Sequence, residues 1–214
     1  PTEKKKQKKK KKPVSKVIIG MKWWKRNSSL ADSSHGGIIV STREGSLMMC
    51  YPYEDPPRWI NLSGWWESSM IDNFGIEARD GCCMTVASVG KHDVIAIGTT
   101  RGDIVLTWFL PSSTKGILKV SQFVLQARKL NSIKGFEWVR GDSDHSCCLL
   151  SFHVKAVAIW EVELESEATR TPLFVLHLGK SMKGVPSCAL YDSKTSRVVV
   201  GDARGALALF HLND

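Results

Sequence analysis

Patterns that would identify a membrane protein or a common class of enzyme are missing from this 214-residue sequence. No apolar run approaches the roughly 18 residues that cross a bilayer, and segments such as Ile104 to Leu110 are far shorter. Phosphate-binding glycine loops, His-x-x-x-His spacing and a Gly-x-Ser-x-Gly elbow are also missing. We therefore expect no membrane span, no cofactor, no small-molecule substrate and no catalytic residues.

The six cysteines do not have the spacing of a metal site. Four of them form the adjacent pairs Cys82–Cys83 and Cys147–Cys148 inside apolar segments, and Cys-x-x-Cys does not occur. Because adjacent residues of a strand point to opposite faces, we expect neither pair to form one site, and zinc is not predicted. Free buried thiols are typical of a reducing compartment, which predicts a cytoplasmic protein.

The formal net charge of +9 is concentrated at one end of the chain. Residues 1–26 hold eleven Lys and one Arg against one Glu, a balance of +11, whereas residues 27–214 hold 18 basic and 20 acidic side chains, a balance of −2. The lysine-rich segment 1–13 has almost no apolar content and is predicted to be disordered. Since phosphate contacts require a basic patch, the near-neutral remainder favours protein contacts, with any nucleic acid bound elsewhere.

Cationic residues near the start of the chain are the candidate nucleic-acid contacts. The lysine run can attract phosphates, act as a nuclear import signal or solvate a linker, and its composition leaves all three open. Trp23 and Trp24 stand beside further cations and have the chemistry to stack on exposed bases, although we favour packing within a sheet. The candidate residues are Lys8, Lys9, Lys10, Lys11, Lys12, Lys22, Lys25 and Arg26.

The pattern of apolar residues predicts an all-β protein. Short β-branched or alternating runs are bounded by turn residues, and no stretch keeps a 3.6-residue period. Four hairpins share one design, with turns at Arg43–Gly45, Arg101–Asp103, Val154–Lys155 and Ala203–Gly205. The third turn lacks glycine and must differ in type, and Arg101-Gly102-Asp103 is interpreted as a turn rather than an adhesion motif.

The hairpins recur at intervals that indicate a repeat. Turn-to-turn spacings are 57, 53 and 50 residues, against roughly 40–45 for a standard WD repeat. An aromatic residue follows each turn by five or six residues, which makes a chance alignment of the hairpins improbable: Tyr51, Trp108, Trp160 and Phe210. With flanking strands added, the pattern predicts a WD-repeat β-propeller fragment over residues 14–214, about three and a half four-stranded antiparallel blades. Their approximate ranges are 14–70, 80–127, 133–180 and 185–214, the last incomplete.

Three and a half blades do not make a closed ring. Each sheet of a propeller is apolar on both faces and must stack against neighbours. We therefore expect further sequence at both ends of this chain in its parent protein. Without it, the two terminal faces should expose apolar surface and strand edges that favour association.

Four segments carry a resemblance to a known family: Ile38–Leu47, Trp59, Phe136–Trp138 and Val200–Leu207. Together they resemble the middle region of the WD repeat-containing protein six family, the WD-repeat regulatory subunits of the tRNA wobble-nucleotide ribose 2'-O-methyltransferase. The resemblance covers roughly residues 36–212, and its most specific piece is Gly201-Asp202 followed by Arg204-Gly205. The lysine run is not part of the family pattern.

The resemblance implies a non-catalytic scaffold that binds an FtsJ-like methyltransferase and supports 2'-O-methylation of the wobble ribose in tRNA. The partner would supply S-adenosylmethionine and the catalytic residues, and tRNA would be contacted mainly by other parts of the full protein. The alternative is a generic WD-repeat adaptor in another complex, for example in ubiquitin ligation or ribosome assembly.

Overall fold

The computed structural model is all-β and describes residues 17–24, 37–65, 74–89, 92–112, 116–140, 146–163, 171–179 and 182–212. These residues form four antiparallel sheets in which strands that follow one another in the chain pair as neighbours. The predicted disordered segment 1–13 lies outside the described residues.

Each sheet is built from consecutive strands. The first contains β1 (Ile18–Trp24), β2 (Gly37–Thr42), β3 (Leu47–Tyr51) and β4 (Arg58–Asn61). The second contains β5 (Gly81–Val89), β6 (His92–Thr99), β7 (Asp103–Ser112) and β8 (Gly116–Gln126). The third contains β9 (Ile133–Arg140), β10 (Ser146–His153), β11 (Ala156–Glu163) and β12 (Phe174–His177). The fourth has three described strands, β13 (Pro186–Asp192), β14 (Arg197–Asp202) and β15 (Leu207–His211).

The sheets are stacked with their first strands in contact, so that β1 meets β5, β5 meets β9 and β9 meets β13. Side chains of facing sheets fill three cores. The first core joins Ile39 and Met49 to Phe109, the second joins Trp108 to Trp160, and the third surrounds Val157 and Val198. All seven of these side chains are fully buried. This arrangement is that of neighbouring blades in a β-propeller, as predicted.

The hairpin turns follow the glycine pattern of the sequence. Gly45, Gly102 and Gly205 have φ of 83°, 92° and 84°, a backbone conformation that glycine adopts without steric cost. The third hairpin reverses through Val154 and Lys155 without glycine, which confirms that its turn differs. The four predicted hairpins are confirmed, and each joins the second and third strands of its sheet.

The aromatic residues that follow the turns lie on two different faces of their sheets. Tyr51 and Trp108 pack toward the following sheet, whereas Trp160 and Phe210 pack toward the preceding one. The first two follow their turns by six residues and the others by five. In a strand this difference of one residue turns a side chain to the opposite face.

Both outer faces of the stack expose apolar side chains, as predicted for an open set of blades. On the first sheet, Met21 is 62% exposed and Trp23 is 49% exposed. On the fourth sheet, the exposed set is Leu190, Leu207 and Leu209. Leu190 and Leu209 lie opposite Val199 on either side of β14, so they share one face of that sheet.

Candidate interaction surface

A buried polar residue closes the second strand of every sheet: Thr42, Thr99, His153 and Asp202. In three sheets its side chain accepts a hydrogen bond from a backbone N–H four residues later. The distances are 3.2 Å from Ser46 to Thr42, 2.9 Å from Asp103 to Thr99 and 2.9 Å from Ala206 to Asp202. This bond spans the tight turn and fixes its shape.

The third sheet has a different network, because its shorter turn leaves no equivalent N–H. Here the two ring nitrogens of His153 lie 3.0 Å from Ser151 Oγ and 3.0 Å from the carbonyl oxygen of Asn131. Trp160 Nε1 donates to the same Ser151 hydroxyl at 2.9 Å. Burial lowers the pKa of His153, so the ring is neutral at physiological pH.

The anchored turns present a basic side chain from each sheet. Consecutive sheets have the same internal order and touch through their first strands, so their second-to-third-strand turns lie at one end of the stack. We call this the turn end. Its exposed turn residues are Arg43, Arg101, Lys155 and Arg204. The segments leading into the second, third and fourth sheets reach the same end and add the exposed residues Arg79, Arg128, Lys129 and Lys183.

Most carboxylates at the turn end are held by the protein's own donors. Asp80 accepts a hydrogen bond from Arg101 at 3.2 Å, and the buried Asp103 accepts one from Arg128 at 2.9 Å. Asp202 accepts hydrogen bonds from the backbone N–H groups of Ala206, Gly184 and Arg204, and these bonds lower the pKa of its carboxyl group. Since Arg101 and Arg128 are the cations of two of these pairs, the positive charge of the turn end comes mainly from its other cations, such as Arg43, Lys155 and Arg204.

This basic end differs from the expectation drawn from the charge balance. A near-neutral balance over residues 27–214 predicted no basic patch, but stacking collects cations from all four sheets at one end. The alignment of the turns already showed that cations recur at this position, since three of the turns contain Arg43, Arg101 and Arg204. Sequence reasoning treated these residues only as turn formers.

Of the eight candidate nucleic-acid contacts, only Lys22 lies within the described residues. It is exposed on β1, where its partner across the strand pair is Ile39. The two tryptophans that follow it have different surroundings. Trp24 is buried, with its ring centroid 5.8 Å from that of Phe109, whereas Trp23 makes an edge contact with Tyr53 at 5.7 Å between ring centroids. Burial of Trp24 supports sheet packing. The remaining candidates, Lys8, Lys9, Lys10, Lys11, Lys12, Lys25 and Arg26, fall outside the described residues and stay predictions.

For Cys82 and Cys83 the expected alternation is interrupted, because a bulge lies in β5 and both sulfur atoms lie near Gly98. The Cys147–Cys148 pair follows the expectation, with its members in different cores. Within the described ranges, no three His, Cys, Asp or Glu side chains are placed to hold a metal ion, and no helix is long and apolar enough to span a bilayer.

Comparisons by sequence find no match, either to a family model or to a curated protein. Comparison by structure finds the β-propeller domain of Nup133 from Vanderwaltozyma polyspora, with a TM-score of 0.51 and 11% identity. The match covers 89% of this chain and 54% of that domain, so the chain spans about half its length. The Cps50 (Swd1) β-propeller domain of Myceliophteria thermophila is more distant, with a TM-score of 0.35, 9% identity, and coverage of 85% and 68%. The first similarity establishes the β-propeller fold and nothing narrower.

Proposed function

We propose that this chain is a non-catalytic WD-repeat scaffold that binds a partner through its turn end. The observation that carries the proposal is the row Arg43, Arg101, Lys155 and Arg204, one exposed cation from each sheet. Each stands on a hairpin that is closed by a buried polar residue, so the row is held by a rigid frame. A rigid frame binds with little loss of conformational entropy.

The charge of the turn end selects an anionic partner. RNA phosphates and acidic protein surfaces both fit a row of Arg and Lys side chains. The chain resembles the regulatory subunits of the tRNA ribose methyltransferase. This resemblance favours one partner, an FtsJ-like methyltransferase together with its tRNA. In that complex the scaffold positions the methyltransferase and its tRNA, and the methyltransferase supplies S-adenosylmethionine and the catalytic residues. We expect the complex to be cytoplasmic.

Affinity capture of the tagged protein from its own cells tests the partner. Mass spectrometry and sequencing of bound small RNA should recover a ribose methyltransferase together with tRNA, and depletion of the protein should lower wobble-ribose methylation. Recovery of ubiquitin-ligase or ribosome-assembly subunits without tRNA would replace this assignment with the generic adaptor.

Charge-removing variants test the turn end. The triple variant Arg43→Ala, Lys155→Ala, Arg204→Ala removes three exposed cations. The control Lys119→Ala, Lys194→Ala, Arg197→Ala removes three cations from elsewhere on the sheets, of which Lys194 and Arg197 are exposed and Lys119 is half-buried. If RNA binds at the turn end, the first variant should lower the slope of log affinity against log salt by about 2–3, and the second should leave it unchanged. Equal losses in both variants would show that the contact is not localised there.

A further inference from the structure

A bulge at the start of β5 breaks the alternation of side chains. Gly81 pairs with Thr99 and Cys83 pairs with Gly98, so one extra residue, Cys82, lies between two successive pairs. An extra residue in one strand leaves its own position unpaired and re-aims its side chain. The two adjacent cysteines are therefore not forced to opposite faces.

The contacts of the two sulfur atoms converge on one backbone position. Cys82 Sγ donates to the carbonyl oxygens of Gly98 at 3.3 Å and Ile133 at 3.1 Å. Cys83 Sγ lies against the same glycine, since a Cβ added at Gly98 would stand 2.8 Å from it. Ile133 belongs to β9, so the two thiols lie at the seam between the second and third sheets.

The electrostatic surroundings favour one thiolate in the pair. A hydrogen bond from the Cys83 thiol is the largest influence that lowers the pKa of Cys82, and the Ser132 hydroxyl and the Lys134 ammonium lower it further. The same interaction raises the pKa of Cys83, with burial adding to the effect. The pKa of Cys82 is thus lowered and that of Cys83 is raised, which makes Cys82 the more readily deprotonated thiol of the two.

We propose that Cys82 and Cys83 form a chelating dithiol that binds thiophilic metal or metalloid ions, of the class of Cu(I) and trivalent arsenic. Two sulfur ligands match the preference of soft ions for thiolates. Both cysteines are half-buried rather than fully buried. This site is independent of the turn end and of the scaffold function.

The chain contains a matched pair that should not chelate. Around Cys147 and Cys148, β10 pairs with β9 and β11 without a register shift. Cys147 is buried in the core between the second and third sheets, whereas Cys148 packs against the core between the third and fourth. Burial raises the pKa of Cys147 to about 12, which further suppresses its reactivity.

Phenylarsine oxide tests the dithiol directly on the whole chain. Its arsenic exchanges one oxygen for two sulfurs: two S–H bonds break, two As–S bonds form, the oxygen leaves as water and arsenic stays trivalent. Intact-mass spectrometry of the native protein should show one adduct per chain. Because two linked ligands bind about 10²–10⁴ times more tightly than one, the adduct should survive a monothiol wash and be removed by 1,2-ethanedithiol.

Single substitutions locate the site. Cys82→Ser and Cys83→Ala should each abolish the adduct that resists monothiol, while Cys147→Ser and Cys148→Ser should retain it. Circular dichroism confirms that each variant is folded, and Cys82→Ala and Cys83→Ser replace any variant that is not. The proposal is overturned if the native chain forms no adduct, if a monothiol removes it, or if it persists in Cys82→Ser.

Discussion

Arg128 donates through Nε to both carboxylate oxygens of Asp103, at 2.9 and 3.2 Å, and Asp103 is completely buried. The bond joins the turn of the second sheet to the segment that leads into the third. Arg128 also donates to the carbonyl oxygen of Phe74 at 2.7 Å, so one guanidinium ties together three segments of the turn end.

Asp103→Ala should lower the free energy of unfolding by about 1–3 kcal/mol, because it removes a charge-assisted hydrogen bond at a buried acceptor. The Arg128 side chain is 47% exposed, so in the variant it regains part of the lost hydrogen bonding from water. Urea denaturation measures the change. Glu54→Ala is the control, since its pair with Arg58 is exposed on both sides and should be worth less than about 1 kcal/mol. Equal effects would contradict a structural role for Asp103.

Thr99→Val should destabilise the second hairpin while keeping the shape of the side chain. The hydroxyl of Thr99 is the buried acceptor for the Asp103 N–H, and an unsatisfied buried N–H costs about 1–3 kcal/mol. The adjacent Thr100 is exposed, so Thr100→Val provides a matched control that should change stability little. Thermal unfolding compares the two, and a Thr99→Val protein as stable as the control would rule out the anchor.

Stability should fall as pH drops below about 6.5, and His153 should account for part of the fall. Its pKa is lowered in the folded state, so the unfolded chain takes up a proton that the folded chain resists. The contribution is present above the unfolded pKa and is lost as pH decreases toward the folded value.

Urea denaturation between pH 7.5 and 5 measures this pH dependence. His153→Gln should lower stability at pH 7.5, because it disturbs the contacts with Ser151 and Asn131, yet flatten the dependence on pH. Parallel pH curves for the two proteins would show that His153 does not carry the effect.

The open face of the fourth sheet should drive association of the isolated chain. Leu207 is 76% exposed and Leu209 is 56% exposed, and contiguous apolar surface of this kind favours contact between molecules. Leu207→Glu with Leu209→Glu should weaken self-association at least tenfold, measured by sedimentation velocity over a concentration series. Val120→Glu with Val154→Glu changes two other exposed residues and should have little effect. Association unchanged in both variants would exclude this face.

Features that depend on neighbouring residues were predicted from the sequence. Hairpins such as β2–β3 and β14–β15 were located because apolar alternation and tight turns are local signals. The glycine turns were predicted for the same reason, since a positive φ at Gly45, Gly102 or Gly205 is a property of one residue. Repetition of these signals was enough to predict stacked propeller blades.

Features that depend on register were not predicted. The bulge at Cys82 brings two thiols together, and a one-residue difference after the turn places Trp108 and Trp160 on opposite sides of their sheets. The alternation of a strand is reset by a single inserted residue, and sequence spacing alone did not place that residue at a particular pair of strands.

The sequence by itself determined the strand order, the turn positions and the need for each sheet to stack, because these follow from local hydrophobic pattern and glycine geometry. The tertiary structure alone decided which side chains meet. Cations spaced 49 to 58 residues apart reach one end only when the sheets stack in the same orientation, and their carboxylate partners are engaged only in the folded chain. Charge counted along the chain does not contain that information, because electrostatic potential depends on distance in space.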